Sequence, residues 1–303
     1  MRIHARALTG FDMIRRCGSI REASRRLNIS SSALNRQLLQ LESELGMPLF
    51  ERLPQGLRLT PVGEILARHV MALLQDVQRL EGELAALKGL RTGTLDVASV
   101  AALTPSFLPN VLLRMTELYP AVSVNVRIAD SVECGRLVAI GEADLALAFL
   151  RQKNPAIRQY AVGAFPLGAV MPATHPLSGR SQVTFAECAR FPLVMPNREL
   201  SIYADIAALA ERQKRVNVVL ETGSLDLMKG LALRGLGIGF LNRFGVEKEV
   251  GEGALRHVPL RPAIRNQLGA YVRAERALPP AIDAFARVAA DEIARLERQE
   301  IAL

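Results

Sequence analysis

The chain of 303 residues has no tryptophan, few aromatic residues (5%) and only three cysteines. Cys17, Cys134 and Cys188 are odd in number and widely separated, so they predict neither a disulfide framework nor a metal cluster. We expect buried, unreactive thiols, and a redox switch at one of them is the alternative.

Histidine is also scarce. The four histidines of the chain are His4, His69, His175 and His257. None of them belongs to an HExxH motif or to a triad-like arrangement, so we expect solvated or structural histidines. The sequence therefore predicts that the protein is not an enzyme and that it has no catalytic residue, no bound metal and no cofactor.

Long apolar segments are missing as well. No segment approaches the roughly 20 uninterrupted apolar residues of a membrane span, because residues such as Pro166, Pro172 and Arg234 interrupt every candidate. Residues 1–6 lack the apolar core of an export signal. We therefore expect a cytoplasmic protein with no membrane partner.

The positive charge of the chain is concentrated near its start. The formal net charge is +8, and residues 1–62 contain ten arginines but only five acidic residues. A local excess of arginine favours a polyanionic partner such as nucleic acid.

The same region predicts two helices joined by a short turn. Ser19-Ile20-Arg21-Glu22 fits a capping box, so a helix is expected to start at Ile20. The turn Asn28-Ile29-Ser30 follows, and Ser30 is a good N-cap for a second helix that Gly46 ends. This pattern is typical of a helix-turn-helix.

The second helix has one apolar and one polar face. Its apolar stripe consists of Leu34, Leu38, Leu41 and Leu45. Ser32 and Arg36 lie opposite the stripe, and Ser31 and Asn35 flank it. Such side chains suit base edges in the major groove, although a solvated helix face remains the alternative.

A basic hairpin is predicted directly after these helices. Phe50–Leu53 and Leu57–Leu59 alternate in polarity around the turn sequence Pro54-Gln55-Gly56. Arg52 and Arg58 would then form a wing that contacts DNA phosphates or the minor groove.

These segments together resemble a known family. The run Gly18–Ala23, then Leu27–Ser30, Leu41–Gly46, Pro48–Arg52 and Leu59–Gly63, resembles the LysR-type transcriptional regulators almost without gaps over residues 8–63. The resemblance implies that Ser31, Ser32, Asn35 and Arg36 face an operator, with Arg52 and Arg58 on the DNA backbone. With Ser30 at the helix start, these residues form the predicted DNA-binding set.

A long helix is expected to follow, because Thr60 is an N-cap and Pro61 suits the first helical position. An apolar seam with heptad spacing consists of Leu66, Val70, Leu73, Val77, Leu80, Leu84 and Leu87. This seam predicts a homodimer, and packing of the helix onto its own domain is the alternative. A dimer would bind an interrupted inverted repeat in double-stranded DNA. The resemblance adds that family members commonly pair dimers into tetramers.

From residue 91 onward, strand and helix signals alternate. Strands are expected at Thr94–Val100, Val122–Ile128, Leu145–Phe149, Gly168–Met171, Leu193–Met195, Val216–Leu220 and Ile238–Phe240. Helices are expected from Thr104, near 132–140, 202–213 and 225–234, and from Pro280. This order predicts an α/β fold with parallel strands, whose ligand site lies at the carboxyl ends of the strands.

Two segments stand out at such strand ends. Residues 99–104 are small and precede a helix N-terminus that could bind an anionic group. Residues 235–240 are glycine-rich, but they precede rather than follow their strand, so we reject a dinucleotide site. Tight packing of a helix on a strand is the alternative explanation for these glycines.

The resemblance extends to this region through Leu118-Tyr119-Pro120, Gly141–Ala146 and Gly235–Phe240. It implies an effector module with two subdomains similar to periplasmic binding proteins and a cleft between them. The cleft candidates carried over by position are Ser99, Val100, Thr104, Phe149, Asn197, Ser201 and Phe240. The chain is expected to cross between subdomains near Gly163 and near Ile264.

The expected domains are a winged helix-turn-helix (1–62), a linker and dimerisation helix (63–90) and an effector-binding domain (91–303). Subdomain I spans 91–162 plus 265–303, and subdomain II spans 163–264. The sequence thus predicts a transcriptional regulator whose DNA binding responds to a small-molecule effector. A solute-binding protein without a regulatory role is the main alternative, since residues 91–303 alone could form one.

Overall fold

The computed structural model describes residues 5–54, 56–87, 93–151, 154–274 and 278–301. The chain divides into two units, Met1–Gly89 and Leu90–Leu303. Each unit has its own hydrophobic core.

The first unit is a helix-turn-helix with a hairpin and a long helix. Its elements are α1 (Ala5–Cys17), α2 (Ile20–Leu27), α3 (Ser31–Leu45), β1 (Phe50–Leu53), β2 (Gly56–Leu59) and α4 (Pro61–Leu87). The antiparallel hairpin pairs Phe50 with Leu59 and Leu53 with Gly56. The core of this unit is formed around Phe11, Ile14 and Leu34, each at most 2% exposed.

Local capping determines where α2 and α3 begin and end. The Glu22 N–H donates to the Ser19 hydroxyl (3.4 Å), and the Ala33 N–H donates to the Ser30 hydroxyl (3.2 Å). Asn28 and Gly46 end the two helices in the left-handed conformation, with φ of 54° and 69°.

The expected capping box is only half formed. The carboxylate of Glu22 does not reach back to Ser19 but pairs with Arg25 and Arg26 one turn later. Two cations on the same helix face compete successfully for this carboxylate, because both lie at the favourable i+3 and i+4 spacings.

The apolar stripe of α3 is shorter than expected. Leu34 and Leu38 are buried and Leu41 is half-buried, but Leu45 is 44% exposed. The last turn of α3 extends beyond the small core of the unit, so the stripe pattern was wrong at this position.

Helix α4 belongs to the winged unit over its first three turns. The Gly63 N–H donates to the Thr60 hydroxyl (3.0 Å), which caps the helix as expected. Ala67 and Val70 are then buried in the same core as Phe11, and Leu66 packs against it. The packing of this helix therefore shows no division after residue 62, where the sequence analysis placed the end of the DNA-binding domain.

The second unit, residues 93–301 of the described structure, is an α/β module. Its first part contains β3 (Gly93–Ser99), a 3₁₀ turn (Ala101–Leu103), α5 (Phe107–Leu118), β4 (Val122–Ile128), α6 (Ser131–Ala139), β5 (Leu145–Ala148) and β6 (Ile157–Pro172). Its middle part contains α7 (Phe185–Cys188), β7 (Leu193–Pro196), α8 (Tyr203–Ala210), β8 (Val218–Thr222), α9 (Leu225–Leu233) and β9 (Gly239–Asn242). Its last part contains a 3₁₀ turn (Arg243–Gly245), α10 (Glu247–Gly251), β10 (Leu255–Pro259), β11 (Arg265–Arg273) and α11 (Pro280–Ile301).

A seven-stranded mixed sheet runs through the whole module in the order β10-β6-β11-β5-β3-β4, and β9 also pairs with β6. Strand β3 is parallel to both β4 and β5, as the strand-helix-strand pattern predicted. A second sheet of two parallel strands, β7 and β8, lies beside it.

Strand β6 divides the module into two lobes. Residues Ile157 to Pro166 pair with β11, whereas Leu167 to Pro172 pair with β9 and β10. We call residues 93–166 and 265–301 the first lobe, and residues 167–264 the second lobe. The change of partner comes after Pro166 rather than at Gly163, which still pairs with Leu268.

Three features of this module differ from the sequence expectations. The helix expected from Thr104 begins at Phe107 after a 3₁₀ turn. Strand β6 has 16 residues, of which only Gly168–Met171 was expected. The antiparallel strands β10 and β11 were missed. In β11 the five residues Leu268–Val272 are all buried and therefore lack an alternating pattern, and β10 is a strand of five residues without regular alternation.

Two of the three cysteines are buried as expected, whereas Cys17 is half-buried. Cys134 and Cys188 are both 0% exposed, and burial raises the pKa of each thiol to about 12. Neither thiol supplies a thiolate near neutral pH, so the redox alternative finds no support at these two positions.

Candidate DNA-binding surface and effector cleft

The solvent-facing side of α3 carries the predicted base-reading residues. Ser32 and Arg36 are exposed and Asn35 is half-buried, while Leu34 and Leu38 anchor the opposite face. An amide and a guanidinium on one exposed helix face can each form paired hydrogen bonds with a purine.

Two of the predicted contact residues also have structural roles. Ser30 is the N-cap of α3, and its hydroxyl lies 3.2 Å from that of Ser32. The Ser31 hydroxyl lies 2.7 Å from the buried Ser24 hydroxyl, which itself donates to the Arg21 carbonyl. Ser31 is therefore the donor in this pair, and its hydroxyl joins α2 to α3.

The hairpin places its two arginines on opposite faces. Arg58 is directly opposite Glu51, whereas Arg52 is opposite Leu57. Directly opposed residues of an antiparallel pair share a face, so Arg52 and Arg58 point away from each other. Both side chains are exposed, but they cannot contact the same phosphate.

The hairpin is joined to the helix-turn-helix by its backbone. The Leu57 N–H donates to the Gly18 carbonyl (2.8 Å), and a Cβ at Gly56 would come within 2.7 Å of that same oxygen. Gly56 has a φ of 131°, so this close approach needs a glycine.

The predicted dimer seam on α4 falls into two parts. Leu66 and Val70 contact the core of their own unit, which corrects their assignment to a partner helix. Leu73, Val77 and Leu80 are 37–49% exposed on the same helix. The side chains of Leu84 and Leu87 lie outside the described part of the structure.

A cavity of about 350 Å³ lies between the two lobes of the α/β module. Its larger apolar side chains are Val100, Ile128, Phe149, Leu200, Ile202, Leu225, Leu241 and Phe244. Its polar side chains are Asp130, Ser131, Glu199, Ser201 and Asn242. A mainly apolar cleft with a few polar groups is the usual form of a small-molecule site.

Three of the seven predicted cleft residues line this cavity: Val100, Phe149 and Ser201. The ring of Phe149 stacks on Phe244, with centroids 5.8 Å apart and planes at 9°. Both rings line the cavity, and they come from different lobes.

The other four predicted residues are not part of the lining. Ser99 is 0% exposed, and the Thr104 hydroxyl donates to the Ala101 carbonyl within its own turn (2.8 Å). Asn197 accepts a hydrogen bond from the Glu199 N–H (3.1 Å) and shapes the loop instead. Phe240 is fully buried against Phe185, because successive strand residues alternate and Leu241 takes the cleft side.

The sequence analysis missed five lining residues that matter chemically: Asp130, Ser131, Glu199, Asn242 and Phe244. Asp130 and Ser131 stand at the N-terminus of α6, where the capping pattern could have identified them. Asn242 donates to the carbonyls of Phe165 and Pro166, so it stabilises the point where β6 changes lobes. No local pattern predicts Glu199 or Phe244.

The glycine-rich segment serves close packing. A Cβ at Gly237 would come within 2.8 Å of the Pro192 carbonyl oxygen, and one at Gly239 within 2.7 Å of the Met228 side chain. The alternative of tight helix-to-strand packing therefore explains both glycines.

An ion pair connects the two lobes beside the cleft. Arg151, just after β5, donates to both carboxylate oxygens of Asp205 on α8 (2.7 and 2.8 Å) and to the Ser201 carbonyl (3.1 Å).

Within the described residues, no helix is both long and apolar enough to cross a bilayer.

Comparisons with known proteins agree with this architecture. The family model described as "Bacterial regulatory helix-turn-helix protein, lysR family" matches residues 5–64, and the one described as "LysR substrate binding domain" matches residues 88–294. The HTH-type transcriptional regulator CbbR of Sinorhizobium medicae is 28% identical over 93% of this chain and 91% of its own length. The RuBisCO operon transcriptional regulator of Allochromatium vinosum is 25% identical over 98% of each chain.

Solved structures share the fold. A full-length OxyR variant from Pseudomonas aeruginosa superposes with a TM-score of 0.76 at 20% identity, covering 97% of this chain and 95% of its own. ArgP from Mycobacterium tuberculosis has a TM-score of 0.70 at 20% identity, covering 95% and 96%. Because family models match both units, the chain belongs to the LysR family and is a DNA-binding transcriptional regulator with an effector-binding domain, not an enzyme or a solute-binding protein.

Proposed function

We propose that this regulator reads an operator with α3, holds the DNA backbone with its hairpin, and changes its DNA binding when a small molecule occupies the cleft between the lobes. One observation supports this most directly. The exposed polar face of α3 and the exposed arginines of the hairpin belong to one small unit, and the hydrophobic core of that unit contains residues of both elements.

Base recognition is assigned to Ser32, Asn35 and Arg36. Arginine can bond both acceptors of a guanine edge, and asparagine can bond an adenine edge in the same paired way. Ser30 and Ser31 contribute indirectly in this proposal, because their hydroxyls organise the start of α3.

Backbone contacts are assigned to Arg52 and Arg58. Since they lie on opposite faces of the hairpin, one can contact a phosphate beside the major groove while the other contacts the next phosphate or the minor groove. Each contact adds affinity on any sequence and releases condensed counterions.

The chain is proposed to act as a homodimer through the exposed apolar residues of α4, with Leu73, Val77 and Leu80 facing a partner helix. Two DNA-binding units would then contact two half-sites. Pairing of dimers into a tetramer, as in other members of the family, extends the same proposal. DNA as the target makes the cytoplasm the place of action.

Effector control follows from the two lobes. A ligand that contacts both Phe149 and Ser201 binds a closed cleft better than an open one, and only such a difference in affinity can shift the equilibrium. The bond of Arg151 to Asp205 spans the same two lobes and favours the closed form in the absence of ligand.

The proposal is tested by comparing Arg52→Ala with Asn35→Ala on operator fragments selected from a random DNA library. Arg52→Ala should weaken binding to all sequences and reduce the slope of log K against log salt by about 0.9. Asn35→Ala should leave the slope unchanged and reduce discrimination at one base pair by about 1–3 kcal/mol.

The control is Arg212→Ala, which removes an exposed arginine from the other unit. It should alter neither property. If Arg52→Ala changed sequence preference while Asn35→Ala changed only the salt slope, the assignment of α3 to the groove would be wrong.

A further inference from the structure

The charged side chains of the cleft are all acidic. Among the described residues that line it, Asp130 and Glu199 carry charge, and no lysine, arginine or histidine contributes to the lining. The chain as a whole has a net charge of +8, so this negative cavity runs against the general excess of basic residues.

The two carboxylates come from different lobes. Asp130 is the N-cap of α6 in the first lobe, where its Oδ1 accepts a hydrogen bond from the Glu133 N–H (2.8 Å). Glu199 follows β7 in the second lobe, and its Oε2 accepts from the Asn197 amide (3.3 Å). In the described part of the chain, neither carboxylate forms an ion pair with a basic side chain.

The backbone around Glu199 is built to admit its carboxylate. A Cβ on Gly223 would lie only 2.0 Å from Glu199 Oε2, so a glycine at this position leaves the space that the carboxylate occupies. The neighbouring basic groups are engaged elsewhere: Arg151 pairs with Asp205, and Arg198 lies 5.9 Å from the ring centroid of Tyr203.

Asp130 and Glu199 lie on different lobes around one cavity, so their like charges oppose closure of the cleft, and exclusion of water on closure would strengthen this repulsion. A cation bound between them would reverse this effect and stabilise closure. A metal ion is a poor candidate, since no group of three or more potential metal ligands occurs among the described residues.

The rest of the cavity suits an organic cation. The rings of Phe149 and Phe244 line the cavity and can contact the apolar body that carries the cationic group. The Ser131 and Ser201 hydroxyls can orient further polar groups. A volume of about 350 Å³ accommodates a ligand of metabolite size.

We propose that the effector of this regulator is a small organic cation, an amine or guanidine on a partly apolar skeleton, whose positive group binds between Asp130 and Glu199. This inference rests on the proposed function of the cleft as the effector site. It differs from the sequence expectation of an anionic group on the backbone N–H groups of the helix N-terminus after β3, because that helix begins at Phe107 and its first residues do not line the cavity.

The first test compares three probes with one skeleton and different charge: phenethylamine, 2-phenylethanol and 3-phenylpropionate. Full-length protein is titrated with each by calorimetry, and unfolding is followed by circular dichroism because the chain lacks tryptophan. Phenethylamine should raise the midpoint of unfolding, and the neutral and anionic probes should have smaller effects at equal concentration. An equal or larger effect of 3-phenylpropionate would overturn the proposal.

Variants then locate the cation. Glu199→Gln and Asp130→Asn keep shape, and the Asn side chain still caps α6. Each should weaken the binding of phenethylamine about tenfold or more. Glu211→Gln, an equal loss of charge at an exposed site of the same module, should leave the affinity unchanged. Unchanged affinity in both cleft variants would refute the site.

The natural class of effector is tested with an extract of bacterial metabolites separated on cation and anion exchangers. The fraction retained by the cation exchanger should alter the footprint of the wild-type protein on selected DNA. Activity in the anion-exchanger fraction, or in neither fraction, would overturn the inference while DNA binding remained intact. A wild-type protein that binds no DNA either with or without these fractions would instead contradict the proposed function.

Discussion

At the scale of single residues, Ser31 and Ser32 show how neighbouring side chains of one type divide between stability and recognition. The Ser31 hydroxyl donates to Ser24 between two helices, whereas the Ser32 hydroxyl lies near the hydroxyl of the exposed Ser30. Both were predicted to face DNA from the same helix pattern. Only the position of α2 beside α3 separates their roles.

Substituting these two serines should give opposite results. Ser31→Ala should lower the free energy of unfolding of the first unit by about 1 kcal/mol, because one intramolecular hydrogen bond is lost. Ser32→Ala should leave stability within about 0.5 kcal/mol, as is usual at exposed positions. Urea unfolding measures the first effect and DNA titration tests whether Ser32→Ala alone alters sequence preference. Equal destabilisation by Ser31→Ala and Ser32→Ala would contradict this division between a stabilising and a recognition serine.

His257 illustrates a histidine whose role is structural. It lies on β10, its ring packs over Gly168, and its Nε2 lies 3.0 Å from the Leu241 carbonyl oxygen. Burial lowers the pKa of this imidazole to about 4, and the nearby Arg243 acts in the same direction. The neutral ring therefore donates its Nε2 proton to Leu241 O in the folded chain.

A pH dependence of stability follows. In the unfolded chain His257 binds a proton near pH 6.5, whereas in the folded chain it does so only near pH 4. The stability that the neutral, buried imidazole contributes is therefore fully present above pH 6.5 and is lost as the pH falls towards 4. Between pH 7 and 5 the loss is about 2 kcal/mol. The His257→Gln variant should have a lower free energy of unfolding at pH 7, but that free energy should decrease less between pH 7 and pH 5 than it does in the wild type. Parallel curves for the two proteins, measured by urea unfolding, would contradict this assignment.

At the scale of elements, α4 shows how one apolar repeat can serve two interfaces. The seam is continuous in the sequence, yet Val70 is 2% exposed and Leu80 is 49% exposed. The helix extends beyond the small unit that it caps, so the early positions contact their own core and the later ones do not. We expect the later ones to bind a second copy of the helix.

Substitutions along α4 should therefore separate folding from assembly. Leu73→Ser combined with Leu80→Ser should dissociate the dimer without lowering helix content, as measured by sedimentation and circular dichroism. Val70→Ala should lower stability by about 2 kcal/mol, because it leaves a cavity in the core. Glu64→Ser combined with Arg68→Ser, at exposed positions on the same helix, is the control. A dimer that survives the first double substitution would exclude this seam.

At the scale of the whole molecule, the proposed dimerisation would determine which DNA sites can be bound. Two DNA-binding units related by a twofold axis require two half-sites on the same face of the duplex. Each unit alone offers little more than one helix and one hairpin to the DNA. Most of the affinity for a full operator is thus expected to depend on the spacing of the half-sites.

Changing that spacing is a direct measurement. Insertion of about five base pairs between the half-sites rotates one of them by half a turn, and binding should fall towards that of a single half-site. Insertion of about ten base pairs restores the face and should recover part of the affinity. Gel-shift titrations with the three fragments test this, and indifference to the insertions would rule out a rigidly spaced dimer.

Much of the fold was predictable because it depends on local interactions. The caps at Ser19, Ser30 and Thr60 and the left-handed Gly46 involve only residues within a few positions along the chain, so sequence alone locates the helix ends. The parallel arrangement of β3, β4 and β5 also follows from the order of elements. The long strand β6 was mostly missed, because residues Ile157 to Val162 are half-buried or exposed without a regular alternation.

The sequence by itself determined the helix-turn-helix, the hairpin and the alternating α/β module, since periodicity and capping act over short distances. Tertiary structure alone decided that Leu66 and Val70 pack inside the first unit, that Leu241 rather than Phe240 faces the cleft, and that Asp130 and Glu199 share one cavity. The physical reason is distance along the chain. The charge of the cleft depends on residues that are far apart in the sequence and that the folded sheet brings together. No local sequence pattern predicts which residues these are.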